Sequence, residues 1–215
     1  MIKNTLSSTF CLIMLIAFFN SAYAQKIKWP SASYSADELL KTNEGVFETK
    51  IFYRSEPRVI RREIDLNKIG MGTTINIVDF KNSNIIVLIP SMKMKMDQPF
   101  GKKQEGAPVS MDEMEIISKQ RIGTETINHL KATKYKITAI PSDGNIYTGL
   151  IWEYKNNIVV KMDIKSDNGR FLKQNISNLV IGPQADVLFE VPDEYNSNNL
   201  NIGDMMKSLP MNIGQ

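Results

Sequence analysis

Cysteine is nearly missing from this chain of 215 residues: the one present, Cys11, sits inside an apolar run near the N-terminus. Without that segment no thiol remains, which excludes disulfides, thiolate metal ligands and a cysteine nucleophile. Histidine is just as scarce, with His129 alone and in an expected turn. Zinc sites want several His or Cys ligands, and a Ser-His-Asp arrangement needs a well-placed imidazole, so both chemistries are disfavoured. The sequence has no Gly-x-Ser-x-Gly elbow and no glycine-rich loop leading into a helix. Asp112-Glu113 and Asp193-Glu194 are adjacent carboxylates, and neighbours on a strand or turn point apart rather than flank a substrate. These absences predict a protein that is not an enzyme and holds no cofactor.

Charge of one sign is not concentrated anywhere, and the formal balance is only +3. The densest basic spots, Arg58-Arg61-Arg62 and Lys102-Lys103, read as solvated strand and loop faces, so no nucleic-acid partner is expected. Long apolar runs are also lacking. Phe10 to Phe19 is about ten residues, short of the ~20 that a membrane-spanning helix needs. Preceded by Lys3 and followed by Ala22-Tyr23-Ala24, it reads as a signal peptide over residues 1–24, cleaved before Gln25. A lipoprotein signal would place a cysteine where Gln25 stands. The expectation is therefore an exported, periplasmic protein with no permanent membrane anchor after cleavage. One domain is expected over 25–195, with a polar linker and short C-terminal helix over 196–215.

What the sequence has in quantity is period-two alternation. A short helix is expected first at Ser35 to Thr42, where Ser35 can cap and Asp37 and Glu38 suit the positive end. Strands follow at 46–54, 58–66, 73–80 and 84–90. The first aligns Phe47, Ile51 and Tyr53 on one face, the second Ile60, Ile64 and Leu66 with Arg62 among them, and the third Ile75 and Ile77. Asn84 to Pro90 is apolar in both phases and is expected to be covered on both sides. Met92, Met94 and Met96 alternate with lysines, and Pro99 to Pro108 reads as a flexible flap. Further strands are expected at 115–122, 131–140, 145–154, 157–164, 171–181 and 187–191, with Asp143-Gly144 and Asn156-Asn157 as turns. Leu150, Trp152 and Tyr154 share one face, and Val160, Met162 and Ile164 the face opposite. The pattern implies a mainly β fold: a single antiparallel sheet in meander order, curled because large twisted sheets do not stay flat. One or two short helices would serve as lid or plug over an apolar concave face.

Three stretches carry a resemblance to a known family: Ile122-Gly123-Thr124-Glu125-Thr126-Ile127 followed by Ala132-Thr133-Lys134-Tyr135; Gly149-Leu150-Ile151-Trp152 with Val160-Lys161-Met162; and Asn178-Leu179-Val180-Ile181-Gly182-Pro183 with Leu188-Phe189-Glu190-Val191-Pro192 and Tyr195. Together with the order of elements they resemble the LolA-like superfamily of periplasmic lipoprotein carriers, and within it a family of uncharacterised exported bacterial domains. The resemblance implies an unclosed half-barrel around a hydrophobic cavity, with a strand arginine holding a lid shut. It carries that role to Arg61 in Pro57-Arg58-Val59-Ile60-Arg61-Arg62-Glu63, whereas alternation turns Arg62 inward; a one-residue slip exchanges them.

The expected ligand cavity is thus lined by Phe47, Ile51, Tyr53, Arg61 or Arg62, Ile75, Ile77, Met92, Met94, Met96, Leu150, Trp152, Val160 and Met162. Such a face would bury acyl chains at about 0.8 kcal/mol per methylene, and an inward arginine could orient a headgroup. The expected partner is the acyl chain of a lipid or lipoprotein. Two other readings stand beside it: an envelope protein-interaction module docking through Lys93, Lys95 and the flap, and Cu(I) binding by the three methionine thioethers.

Overall fold

The computed structural model describes residues 25–26, 28–67, 72–99, 114–140 and 144–197. The segment read as a signal peptide, nearly all of the flap and the tail helix fall outside them. Among the described residues, no helix is long and apolar enough to cross a membrane.

Eleven strands of six residues or more, and a two-residue strand at each edge, form one sheet. In chain order they are β1 (Gln25–Lys26), β2 (Tyr34–Thr42), β3 (Gly45–Arg54), β4 (Val59–Asp65), β5 (Thr73–Asp79), β6 (Asn84–Ile89), β7 (Met94–Pro99), β8 (Glu115–Ile127), β9 (Leu130–Ile140), β10 (Tyr147–Glu153), β11 (Val159–Ser166), β12 (Phe171–Ile181) and β13 (Asn196–Ser197). Their spatial order is β1-β8-β9-β10-β11-β12-β2-β3-β4-β5-β6-β7-β13. Two antiparallel meanders, β2–β7 and β8–β12, are therefore joined side by side through β12 and β2. The sheet does not close, since its edges end at β1 and β13 rather than on each other.

Turn chemistry fixes the hairpins. Asn128 and His129 take positive φ (46° and 68°) between β8 and β9, as a two-residue turn matched to strand twist requires. Asn156 and Asn157 do the same between β10 and β11 (58° and 61°). After β5 the Asp79 carboxylate accepts from the backbone N–H groups of Lys81 (2.9 Å) and Asn82 (3.1 Å), a side chain standing in for a turn carbonyl.

The expected helix at 35–42 is instead the interior strand β2, paired with β12 on one side and β3 on the other. Its burial alternates: Tyr34, Ala36, Glu38 and Thr42 are inside, and the residues between them are more open. Two neighbouring strands pair with it along its length, and that pairing outweighs a local helical preference. Leu39 and Leu40 consequently point to opposite faces. The lid or plug helices have no counterpart among the described residues, where helix occurs as short 3-10 turns such as Pro90–Met92 and Asp186–Phe189. That last turn replaces the strand expected at 187–191.

The C-terminal segment from Asp186 to Tyr195 lies over the outer face of β4–β6, where Phe189, Val191 and Tyr195 pack on Val59, Ile75, Ile77 and Leu88. This cover explains why 84–89 is apolar in both phases. At one end of the sheet, Trp29 to Ser33 runs as a strap. Ser31 N–H donates to Asn156 O (2.9 Å), Tyr53 Oη donates to Pro30 O (2.9 Å), and Gly182 N–H donates to Ser33 O (2.9 Å). The strap thus ties the β10–β11 turn to the end of β12 and to β3.

Candidate functional site

Opposed residues in an antiparallel ladder share a face, so register alone assembles the inner surface. One row across β2–β7 reads Ala36, Ile51, Arg62, Asn76, Val87 and Met96. The neighbouring row reads Glu38, Thr49, Ile64 and Thr74. On the other side of β2, Ile176 opposes Glu38, Gln174 opposes Leu40, and Met162 opposes Gln174. Eight of these fourteen positions are apolar, and six of the eight are buried: Ala36, Ile51, Val87, Met96, Met162 and Ile176 each expose 6 % or less.

Through this apolar surface runs a polar belt of Gln174, Glu38, Thr49, Arg62, Thr74 and Asn76, on five consecutive strands from β12 to β5. Glu38 is almost wholly buried, with its Oε2 4.0 Å from Arg62 Nε. Thr74 Oγ1, Asn76 Oδ1 and Gln174 Oε1 are buried and have no hydrogen-bond partner among the described residues. An orphaned acceptor costs about 1–3 kcal/mol, so three on one face are an expensive arrangement that a ligand's donors would relieve.

The structure divides the residues nominated from sequence between the two faces. Phe47, Ile51, Tyr53, Arg62, Met94, Met96, Val160 and Met162 belong to the inner surface. Arg61, Ile75 and Ile77 are one residue out of phase and face outward. Arg61 donates to Leu188 O (3.0 Å) and pairs with Glu63 (2.7 Å), so it clasps the C-terminal segment rather than an inner lid. Leu150 and Trp152 stand opposite Asp163 and Lys161 while Ile151 opposes Met162, yet Trp152 is buried in the cluster of Ala36, Ile51 and Ile176 and Leu150 packs against it. Met92 is not on the strand at all: the chain turns at Pro90–Met92, Lys93 takes φ 49°, and Met92 is 57 % exposed. The three methionines therefore share no face. The belt residues Glu38, Thr49, Thr74, Asn76 and Gln174 were not anticipated. Reading 34–42 as a strand would have put Glu38 in phase with Tyr34 and Ala36, and Gln174 interrupts the phase of Leu172 and Ile176 in plain view.

A second arrangement surrounds Trp152, which is itself buried in the cluster that holds Ala36, Ile51, Tyr53 and Ile176. The ammonium groups of Lys161 and Lys134, one from each flanking strand, lie 4.4 and 4.9 Å from its ring centroid. Its indole Nε1 donates to Glu125 Oε2 (2.8 Å), which also accepts from Lys134 Nζ (3.0 Å). The indole hydrogen bond and then the lysine hydrogen bond hold the Glu125 carboxyl below its ordinary pKa of 4.5.

A hollow of about 460 Å³ opens beside the strap, between Trp29, Ser31, Ser55, Glu56, Arg58 and Asn157. None of the nominated cavity residues lines it.

No family model matches the sequence, and no curated protein matches it. Solved structures do share its shape. An uncharacterised conserved protein of Thermus thermophilus superposes with a TM-score of 0.52 at 11 % identity, covering 78 % of this chain and 90 % of that one. Lipoprotein LppX of Mycobacterium tuberculosis gives 0.41 at 15 % identity, over 67 % and 85 % of the two chains. MucB of Pseudomonas aeruginosa, in its complex with MucA, gives 0.48 at 12 % identity, over 80 % of this chain and 59 % of MucB. At these identities the likeness concerns architecture alone, and the last two superpositions are too loose to carry an argument. The architecture shared with the Thermus protein is an unclosed antiparallel sheet, which here presents an apolar inner face.

Proposed function

We propose that this chain is an exported binding protein, not an enzyme, that holds the apolar part of a lipid or lipoprotein against the inner face of its half-barrel. The observation that carries this reading is the pairing of apolar rows with a polar belt in which Thr74 Oγ1, Asn76 Oδ1 and Gln174 Oε1 are buried without a hydrogen-bond partner among the described residues. A core evolved only for stability would replace Thr74 and Gln174 by apolar residues of like shape, because a buried acceptor without a donor is a net loss. An amphiphile supplies what both parts of the surface lack. Its alkyl chain would lie along Ile51, Val87, Met96 and Met162, where each buried methylene is worth about 0.8 kcal/mol. A head bearing hydroxyl, amide or ammonium donors would meet the belt, with Arg62 and Glu38 fixing its orientation by charge-assisted hydrogen bonds. Because the inner side chains are closely buried as they stand, loading requires them to part, and methionines are suited to such repacking.

Native mass spectrometry of protein purified from the envelope of the cells that make it tests this. A bound species with the mass of a lipid, lost on delipidation and replaced by a fluorescent fatty-acid ester, is the expected result. Protein that carries no lipid and takes up none of the probe would overturn the reading.

A further inference from the structure

We infer that the hollow beside the strap is an oxyanion-binding subsite built on Arg58, a role that the inner face does not share and on which this proposal does not depend. Arg58 sits in the turn entering β4, and its guanidinium carbon lies 4.8 Å from the Trp29 ring centroid and 6.0 Å from that of Phe80. Those two rings pack edge to face, 4.6 Å apart, so they form a rigid seat. Arg58 Nε is buried and has no acceptor among the described residues. Other half-buried arginines of this protein have carboxylates: Arg54 takes Asp186 and Arg61 takes Glu63. Arg58 is held in place by aromatic faces instead.

A buried guanidinium N–H such as the Arg58 Nε–H is costly unless it is met, and aromatic contact does not meet it. The planar guanidinium fork matches an oxyanion by two parallel hydrogen bonds, with the orientation already set by the stacked rings. Lys28 and Glu56 also line the hollow, leaving the three charged side chains at one net positive charge. That balance fits one singly charged phosphate or carboxylate group rather than a polyanion. Ser31, also lining the hollow, adds a hydroxyl donor. Since Trp29 and Phe80 also pack on the main core cluster, the subsite abuts the apolar interior. The anion could therefore be free or be the head of an amphiphile.

The test is a titration of the purified protein with inorganic phosphate and, separately, with dodecyl phosphate below its micelle concentration. The Arg58 Nε–H resonance is the readout. Saturable movement of that signal is expected, with binding weakened about tenfold or more in Arg58→Gln and less in Arg58→Lys, as loss of a charge-assisted pair implies. Glu56→Gln, on an exposed turn, should tighten binding a few-fold and serves if the arginine variants fold poorly. Equal affinity for the two probes marks a free oxyanion, and tighter binding of dodecyl phosphate marks an amphiphile head. The proposal is overturned if neither probe moves the signal, or if Arg58→Gln binds phosphate as the wild type does.

Discussion

The two faces of strands β2–β7 are made from the same residues in alternating phase, yet they treat polar groups in opposite ways. Outside, polar side chains find partners: Arg61 with Glu63 and Leu188 O, Arg54 with Asp186, Lys95 with Asp97, Asn178 with Asp37. Inside, Thr74 Oγ1 and Asn76 Oδ1, with Gln174 Oε1 on the adjoining β12, have none among the described residues. Sequence neighbours make the contrast sharpest. Arg61 and Arg62 differ by one position, and one clasps the C-terminal segment while the other lies 4.0 Å from a buried carboxylate within an apolar field. A face whose polar groups are satisfied is finished structure. A face that keeps three buried acceptors without a partner among the described residues is the one where the proposed ligand would sit.

The largest effects should come from matched truncations on the two faces. Ile51→Ala inside and Ile77→Ala outside each empty a site that exposes 2 % or less. Both should lower stability by about 2–5 kcal/mol, measured by urea unfolding. Lipid-probe uptake should fall for Ile51→Ala and persist for Ile77→Ala under conditions where both remain folded. Equal loss of uptake would erase the functional distinction between the faces. Next in size, Arg61→Met removes the hydrogen bond to Leu188 O and should cost about 1–3 kcal/mol. The segment from Asp186 to Tyr195 should then become protease-sensitive while probe uptake stays unchanged. Reduced uptake with the segment still protected would instead return Arg61 to a lid-holding role.

Much of this division was legible in the sequence, and where it was not the causes are specific. Alternation placed β3 to β6 and β8 to β12 within a few residues, because each has one phase richer in apolar side chains and a turn residue at its end. It failed at β2, where Ser35-Ala36-Asp37-Glu38-Leu39-Leu40 carries local helical signals and only the pairing of β12 and β3 with it decides the outcome. That error hid Glu38. Ile75 and Ile77 were assigned to the wrong face because β5 is buried on both, its outer cover coming from residues more than 100 positions later. Relative phase between strands is set by the ladder and not by either strand alone. For the same reason the pairing of Trp152 with Lys161 and of Ile151 with Met162 emerges only from the β10–β11 register.

A finer test uses sign rather than size. Thr74→Val and Gln174→Leu remove acceptors that no described residue satisfies. Each should leave the ligand-free protein as stable as before or more stable by about 1 kcal/mol, since the lost hydroxyl or amide was a liability in the absence of a donor. Binding of a head-bearing lipid should weaken in the same variants, while binding of a plain alkane is unaffected. Stability and affinity moving in opposite directions is the signature of a polar group kept for a ligand. If both fall together, the belt is held by interactions internal to the protein.

The smallest expected effect lies at Glu125, beside Trp152. Its carboxyl is held below the ordinary value chiefly by the Trp152 indole and then by Lys134. A depressed carboxylate adds stability that is fully present above the unfolded-state pKa and is lost as pH falls through the lower, folded one. Melting temperature should therefore decline below about pH 4.5, with a contribution from Glu125 that is missing in Glu125→Gln. Glu125 is 41 % exposed, so solvent screens the pair and the contribution is small. Trp152 reports the event directly, because protonation removes the charge that its indole N–H serves and shifts its fluorescence in the same pH range. Lipid affinity measured across that range should not follow the Trp152 signal. A common titration of both would mean that Glu125 is coupled through Trp152 to the apolar rows of the proposed ligand face, since Trp152 packs in the same cluster as Ala36 and Ile51.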